Sequence, residues 1–312
     1  MKNSTGSEKM SRAVSYAEYG GPEVLEVAEV AEPHATEDSV RVAVRAAGLN
    51  PFDSQVRRGG FIPNHSLPSL QGVEFAGVID EVGDKVTQWS AGDEVLGWID
   101  RGAQAEYVVV PQSHVARKPA DLDWAVAGGL GLVANTALRE TDSLSLGDGD
   151  TVLVTAAAGG VGLIASQFAI AKGAKVVGTA SETHHDFLRE LGVIPVAYGD
   201  GELKRLRAAA PNGYTAALDH IGGNAIRTAL ALGIPAARIN TIADQSAAEE
   251  FGLSTVGGGK KTAEELAEFA RMAADGKLVL PVRSTYHLPD VVEAFHDLET
   301  GHGLGKVVLL IP

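Results

Sequence analysis

Thr151-Val152-Leu153-Val154-Thr155-Ala156-Ala157-Ala158-Gly159-Gly160-Val161-Gly162-Leu163-Ile164-Ala165 is the stretch whose reading decides the fold. It begins as a short apolar, β-branched run. It ends as an amphipathic one, with Val161, Ile164, Ala165, Phe168 and Ala169 at helical spacing. Between the two lies Ala157-Ala158-Gly159-Gly160-Val161-Gly162, a strand-to-helix turn almost without side-chain bulk. Small residues let the backbone approach a pyrophosphate, and the helix N-terminus offers it free N–H groups. Glycine turns also serve mere packing. Here the next strand, Lys175 to Thr179, follows at the interval of a βαβ unit, and that context points to a dinucleotide site. Ala157, Gly159, Gly160, Val161 and Gly162 are its candidate cofactor contacts.

Outward from this stretch the chain changes character at about residue 125. Before it, short strands alternate with turns: Val24 to Val27, Val40 to Ala46, Ala76 to Val82 and Ala105 to Val110, punctuated by Gly20-Gly21-Pro22, Gly83-Asp84 and Ala91-Gly92-Asp93. Strands this short and numerous manage their edges by partial closure into a small barrel. After it, strands and helices alternate, which implies a parallel sheet covered on both faces. Ile194 to Val196, Ala216 to Asp219 and Arg238 to Ile242 are further expected strands. A helix is expected from about Thr262 to Ala274, with Leu266, Phe269 and Met272 on one face, then a helix from Pro289 to Leu298 and a last strand from Lys306 to Ile311.

Composition narrows the function classes. The chain has 312 residues, 45% of them hydrophobic, enough for two domains or one large α/β domain. Its net charge of −14 argues against nucleic acid or an anionic membrane as the main partner. There is no cysteine, which excludes disulfides and thiolate zinc sites. No 18 apolar residues run uninterrupted, so no membrane span is expected. Residues 1–10 are polar, lack the apolar core of a signal peptide and read as a frayed extension, with Met10 as an alternative start. A cytoplasmic protein is the expectation.

Several stretches, in order, resemble the zinc-independent quinone oxidoreductases of the medium-chain dehydrogenase/reductase superfamily. They are Tyr19-Gly20-Gly21-Pro22-Glu23-Val24-Leu25, then Ala47-Gly48-Leu49-Asn50-Pro51-Phe52-Asp53 with Arg57 and Gly59. Pro68, Gly72-Val73-Glu74-Phe75-Ala76-Gly77-Val78, Gly92-Asp93-Glu94-Val95, the glycine turn and Gly305-Lys306-Val307-Val308-Leu309 follow. The resemblance implies a GroES-like, partly open β-barrel catalytic domain of residues 1–125 with 278–312. A doubly wound Rossmann domain of residues 126–277 is inserted into it, and the active cleft lies at the junction.

The resemblance also assigns roles. Asn50 and Asp53 belong beside the nicotinamide, Asn50 as hydrogen-bond donor and Asp53 as the carboxylate that orders it. Read on its own, Asn-Pro-x-Asp is simply a good turn initiator. Thr136 matches a threonine that faces the nicotinamide from the start of a helix, a position an ordinary helix cap would also explain. The end of the second Rossmann strand carries Ser181 where an NAD enzyme would place an acid, so NADP(H) is the implied cofactor. His184 and His185 stand where the family often has a lysine, and imidazoles are weaker phosphate partners near neutral pH. His185, Tyr198 and Lys306 are the remaining candidate cofactor contacts. Gln55 and Val56 stand where quinone reductases of the family often carry tyrosines, which leaves the acceptor open between a quinone and an α,β-unsaturated carbonyl. No metal is expected: His65 reads as a loop histidine and Glu74 as a structural carboxylate. The family further implies a homodimer paired through an edge of the dinucleotide sheet. The alternative to an enzyme is a non-catalytic NADPH-binding redox sensor or structural protein on the same fold.

Overall fold

The computed structural model describes residues 9–62 and 65–312, so all but the last two residues of the expected N-terminal extension lie outside the described residues. The N-terminal part supplies eight strands: β1 (Met10–Tyr16), β2 (Glu26–Ala31), β3 (Ser39–Gly48), β4 (Ser69–Leu70), β5 (Glu74–Val82), β6 (Glu94–Trp98), β7 (Tyr107–Pro111) and β8 (Val115–Arg117). A short helix, α1 (Pro51–Arg57), follows β3. The expected strand at Val24 to Val27 begins two residues later, because Pro22 starts a 3-10 turn that carries Val24.

The middle of the chain alternates. A long helix, α2 (Trp124–Ser143), leads into β9 (Thr151–Val154), α3 (Gly160–Ala171), β10 (Lys175–Ala180), α4 (His185–Glu190) and β11 (Ile194–Ala197). Then come α5 (Glu202–Ala209), β12 (Ala216–Asp219), α6 (Asn224–Ala231), β13 (Ile239–Thr241), α7 (Gln245–Phe251) and α8 (Ala263–Ala274). These five strands form a parallel sheet in the order β11-β10-β9-β12-β13. Val152 and Val154 pack into one core with Leu163, Ile164 and Phe168, while Leu153 packs on the opposite face with Val177 and Ala217. Burial on both faces is why the centres of β9, β10 and β12 are continuous apolar runs rather than alternating.

The tail adds β14 (Val282–His287), α9 (Val291–Glu299) and β15 (Lys306–Leu310), which join the first part in a seven-stranded sheet ordered β14-β15-β3-β5-β6-β8, with β7 as the seventh strand branching off β3. β3 is long enough to pair with β7 over its first half and β15 over its last residues, so the sheet bends around it. A smaller sheet, β2-β1-β4, is tied on by the Val14 N–H to the Gln104 carbonyl. This is the GroES-like barrel beside a Rossmann-type sheet.

The patterning did not single out α2, yet it joins the two sheets. Leu130, Val133, Ala134 and Ala137 belong to the Rossmann core, while Gly128 and Gly129 lie against Ala46, Gly48 and Val308 of the barrel. A Cβ on Gly128 would stand 2.7 Å from the Ala46 Cβ, so only glycine lets the helix lie this close to the sheet. Asp123 caps the helix by accepting from the Ala125 and Val126 N–H groups.

Candidate active site

Four elements converge where the barrel meets the Rossmann sheet. β3 ends at Gly48 and delivers Asn50 as the residue before α1. β5 opens with Glu74, β15 opens with Lys306, and Leu132 comes from α2. The Lys306 ammonium donates to the Leu49 carbonyl (2.8 Å), Asn50 Oδ1 (2.6 Å) and Glu74 Oε1 (2.9 Å). Asn50 Nδ2 donates to the same Glu74 oxygen at 2.8 Å, and Glu74 Oε2 accepts from the Leu132 N–H at 2.8 Å. All three side chains are buried.

This network fixes the orientation of the Asn50 amide on chemical grounds. An ammonium only donates and a carboxylate only accepts, so Oδ1 faces Lys306 and Nδ2 faces Glu74. Gly48 is part of the arrangement, because a Cβ there would stand 2.5 Å from Glu74 Oε1. Asp53 accepts from the Asn50 N–H at 2.9 Å, capping α1. Burial pushes its carboxyl up to about 7, against the pull of Lys306 and of that N–H.

The glycine turn meets this network edge-on. Ala156 takes a left-handed conformation (φ 47°), the Ala157 N–H donates to the Thr179 carbonyl of β10, and α3 begins at Gly160. A Cβ on Gly162 would collide with the Ala156 carbonyl, and one on Gly160 would press on Val133 and the Lys306 stem. The Gly305 N–H donates to the Ala158 carbonyl at 2.8 Å, and Gly159 bridges Gly305 in parallel. The turn and the barrel's last strand are thus stitched together. By helix geometry the first N–H groups of α3 have no partner within the helix, which together with the bare turn fits a pyrophosphate.

The remaining expected residues are placed as follows. Thr136 is the correction: it lies in the interior of α2, which runs from Trp124 behind the Asp123 cap, and it faces the Gly257–Ile242 segment. Ser181 sits just past β10 with its hydroxyl on Thr183 (3.0 Å), and His185 points a ring nitrogen at the Ala180 carbonyl (3.3 Å). Tyr198, 46% exposed, stacks on His302. Lys306 differs from its assignment as a cofactor contact, since the three protons of its ammonium are already engaged within the protein. Beside Asn50, the Phe52 and Phe61 rings pair at 5.5 Å with Phe61 65% exposed, an aromatic ledge in the absence of the family's tyrosines. Glu74 and Lys306 as partners escaped sequence reasoning; a charged residue at the head of each of two apolar strands was the local signal.

A zinc ion does not fit the donors present. The chain has no cysteine; both His65 nitrogens are engaged, by the Tyr16 hydroxyl (2.7 Å) and the Ile62 carbonyl (2.9 Å). Both Glu74 oxygens are engaged as described, and among the described residues no three His, Asp or Glu side chains cluster as a metal site. No helix among them is long and apolar enough to cross a membrane.

Comparison with known proteins agrees with this architecture. Residues 36–120 match the alcohol dehydrogenase GroES-like domain and residues 191–309 match the zinc-binding dehydrogenase model. A 2-methylene-furan-3-one reductase of Solanum lycopersicum is 31% identical, over 96% of this chain and 78% of its own. A quinone oxidoreductase of Lama guanicoe is 30% identical, over 97% of this chain and 98% of its own. The solved structure of the Escherichia coli quinone oxidoreductase complexed with NADPH matches with a TM-score of 0.84 at 26% identity, covering 96% of this chain and 99% of that one. The chain belongs to the quinone oxidoreductase family of the medium-chain dehydrogenase/reductase superfamily, and it is an oxidoreductase.

Proposed function

We propose that the protein is an NADPH-dependent reductase of quinones or α,β-unsaturated carbonyls that works without zinc. The observation that carries this reading is the Asn50 amide, held in one orientation by Lys306 and Glu74 beside a glycine turn stitched to the same strand. The cofactor, bound along the turn, would supply the hydride; the E. coli relative, solved with NADPH, supports that choice. The chain's own residues do the rest. The α3 N-terminus holds the pyrophosphate, and Thr136 borders the nicotinamide end. Asn50 keeps one Nδ2 proton beyond the one given to Glu74, and this donates to the oxygen on which negative charge develops. The Phe52–Phe61 ledge seats an apolar, planar acceptor, and water returns the proton.

The zinc-free reading is supported by a donor set already spent on hydrogen bonds and an ion pair. Without a Lewis acid, acceptors that take hydride as a quinone or at an enone β-carbon are favoured over simple aldehydes and ketones. Ser181 favours NADPH over NADH, by a modest margin: the missing charged contact is worth about 1.5–3 kcal/mol. We place the two domains at residues 1–125 with 278–312 and 126–277, and take a homodimer as the working assembly.

The test is NADPH oxidation with a panel of quinones and enones, in wild type and Asn50→Ala. The variant should lose about 10²–10³ in turnover, the usual cost of one oxyanion donor, with NADPH affinity changed far less. Wild-type turnover in the variant on every accepted substrate would reduce Asn50 to a turn residue. Stoichiometric zinc by elemental analysis, with activity lost on chelation and restored by zinc, would overturn the metal-free reading.

A further inference from the structure

The carboxyl end of the dinucleotide sheet carries a buried pair that the proposed chemistry does not use. β9 leads to partners on either side, β10-β11 one way and β12-β13 the other, so the gap between β9 and β12 is the topological switch point where α/β sheets bind ligands. Thr155 directly follows β9 and His220 directly follows β12. A parallel ladder extended by one more rung would send the His220 N–H to the Thr155 carbonyl. Instead, that N–H goes to the Thr155 hydroxyl (2.8 Å), and the His220 ring Nδ1 reaches the carbonyl (2.8 Å). The last rung is therefore made by a side chain, at the residue immediately before the left-handed Ala156 that turns the chain into the glycine stretch.

On its other side the ring meets α2. His220 Nε2 lies 2.9 and 3.1 Å from the two oxygens of Glu140, one helical turn beyond Thr136 and fully buried. Asp219, the neighbour of His220 on β12, is the other charged group facing the pair. Its oxygens are taken by the Thr155 and Thr241 hydroxyls and the Gly222 N–H, and β9 and β13 present only uncharged side chains, Thr155, Asn240 and Thr241. Since a carbonyl can only accept, Nδ1 carries a proton. The contact between Nε2 and Glu140 then needs one proton more, on either partner; without it a lone pair would face a carboxylate.

We propose that the His220–Glu140 pair is a positioning device for the dinucleotide turn, making NADPH binding depend on one proton shared by the two side chains. It rests on the reading of that turn as the cofactor site. With the proton present, ring and carboxylate lock the Thr155 carbonyl and so the direction in which the turn leaves the sheet. With it lost, the ring swings from Glu140 and the rung loosens. Burial works against charge on His220, but the Glu140 carboxylate, its hydrogen bond and the Thr155 carbonyl outweigh it and raise the imidazole to about 9. Binding should therefore be intact below that pH and weaken as pH rises through it.

The experiment is NADPH binding to the full chain from pH 7.5 to 10.5, with thermal melts as a folding check, in wild type, Glu140→Gln and His220→Ala. Wild type should weaken by about tenfold across the range, within the span typical of coupled sites. The side-chain amide introduced by Glu140→Gln can donate to a neutral imidazole, closing the contact without the extra proton. That variant should thus bind at pH 7.5 within about threefold of wild type and keep that affinity at pH 10.5. His220→Ala should be weak at every pH. A Glu140→Gln profile that falls in step with wild type, or His220→Ala binding as wild type does, overturns the proposal. If wild type binds NADPH with a flat profile, this proposal alone falls; if wild type binds no NADPH at pH 7.5, the cofactor reading falls with it.

Discussion

Asp53 shows how a family motif residue can be set by its surroundings rather than by its own chemistry. Its carboxyl is raised to about 7 by burial, whereas in the unfolded chain it releases its proton near about 3.9. Between those values the native state holds a proton that the unfolded state has lost, so this residue's contribution to stability falls as pH rises from about 4 to about 7 and is constant above. Asp53→Asn cannot ionise and should melt higher relative to wild type at pH 8 than at pH 5; an equal difference at both would contradict the burial account. Lys306 and Glu74 form a buried ion pair at 2.9 Å. Removing one partner leaves a buried charge alone, so Glu74→Ala should cost about 3–5 kcal/mol in urea unfolding. Glu74→Met with Lys306→Met should cost clearly less than the sum of the single changes. Neither residue declared the other as its partner in the sequence. They are 232 residues apart, and what makes them a pair is that β5 and β15 both start at the same wall of the crevice.

At the scale of elements, the glycine turn was legible because its cause is local: strand, bare turn and helix lie within one stretch, and each residue type answers to its own backbone. The helix α2 was not, because Gly128 and Gly129 break the helical pattern for a reason found only in the barrel they touch. For the same reason Thr136 was expected at a helix start and lies mid-helix. The boundaries of α8 and α9 came within a residue or two, with Thr262 accepting from the Glu265 N–H as the cap of α8. Gly162 offers the sharpest test at this scale. Gly162→Ala would drive a Cβ into the Ala156 carbonyl, so it should abolish NADPH binding while the barrel's near-UV signal persists. Unchanged cofactor affinity in that variant would remove the turn from the site.

The whole molecule presents two edges of its parallel sheet. β11 carries Pro195, which has no N–H to offer and guards that side. On the other side Ser254 extends β13, its carbonyl accepting from the Thr241 N–H and its N–H donating to the Ile239 carbonyl, and Val256 beyond it is 40% exposed. The proposed homodimer should pair along this second edge. Light scattering at micromolar concentration should give twice 32.4 kDa, and Val256→Asp should shift the mass toward one chain. A single-chain mass for wild type would count against it.

The rung between Gly305 and Ala158 gives the junction a mechanical character. Because the turn and β15 are bonded at that point, the two halves are pinned there like the blades of shears at their rivet. A rotation about that point would be small at the glycine turn and grow with distance from the pin. A molecule lying along the crevice would be uncovered first at the end far from the pin, so the reduced acceptor would depart before the spent nucleotide is exchanged for a fresh one.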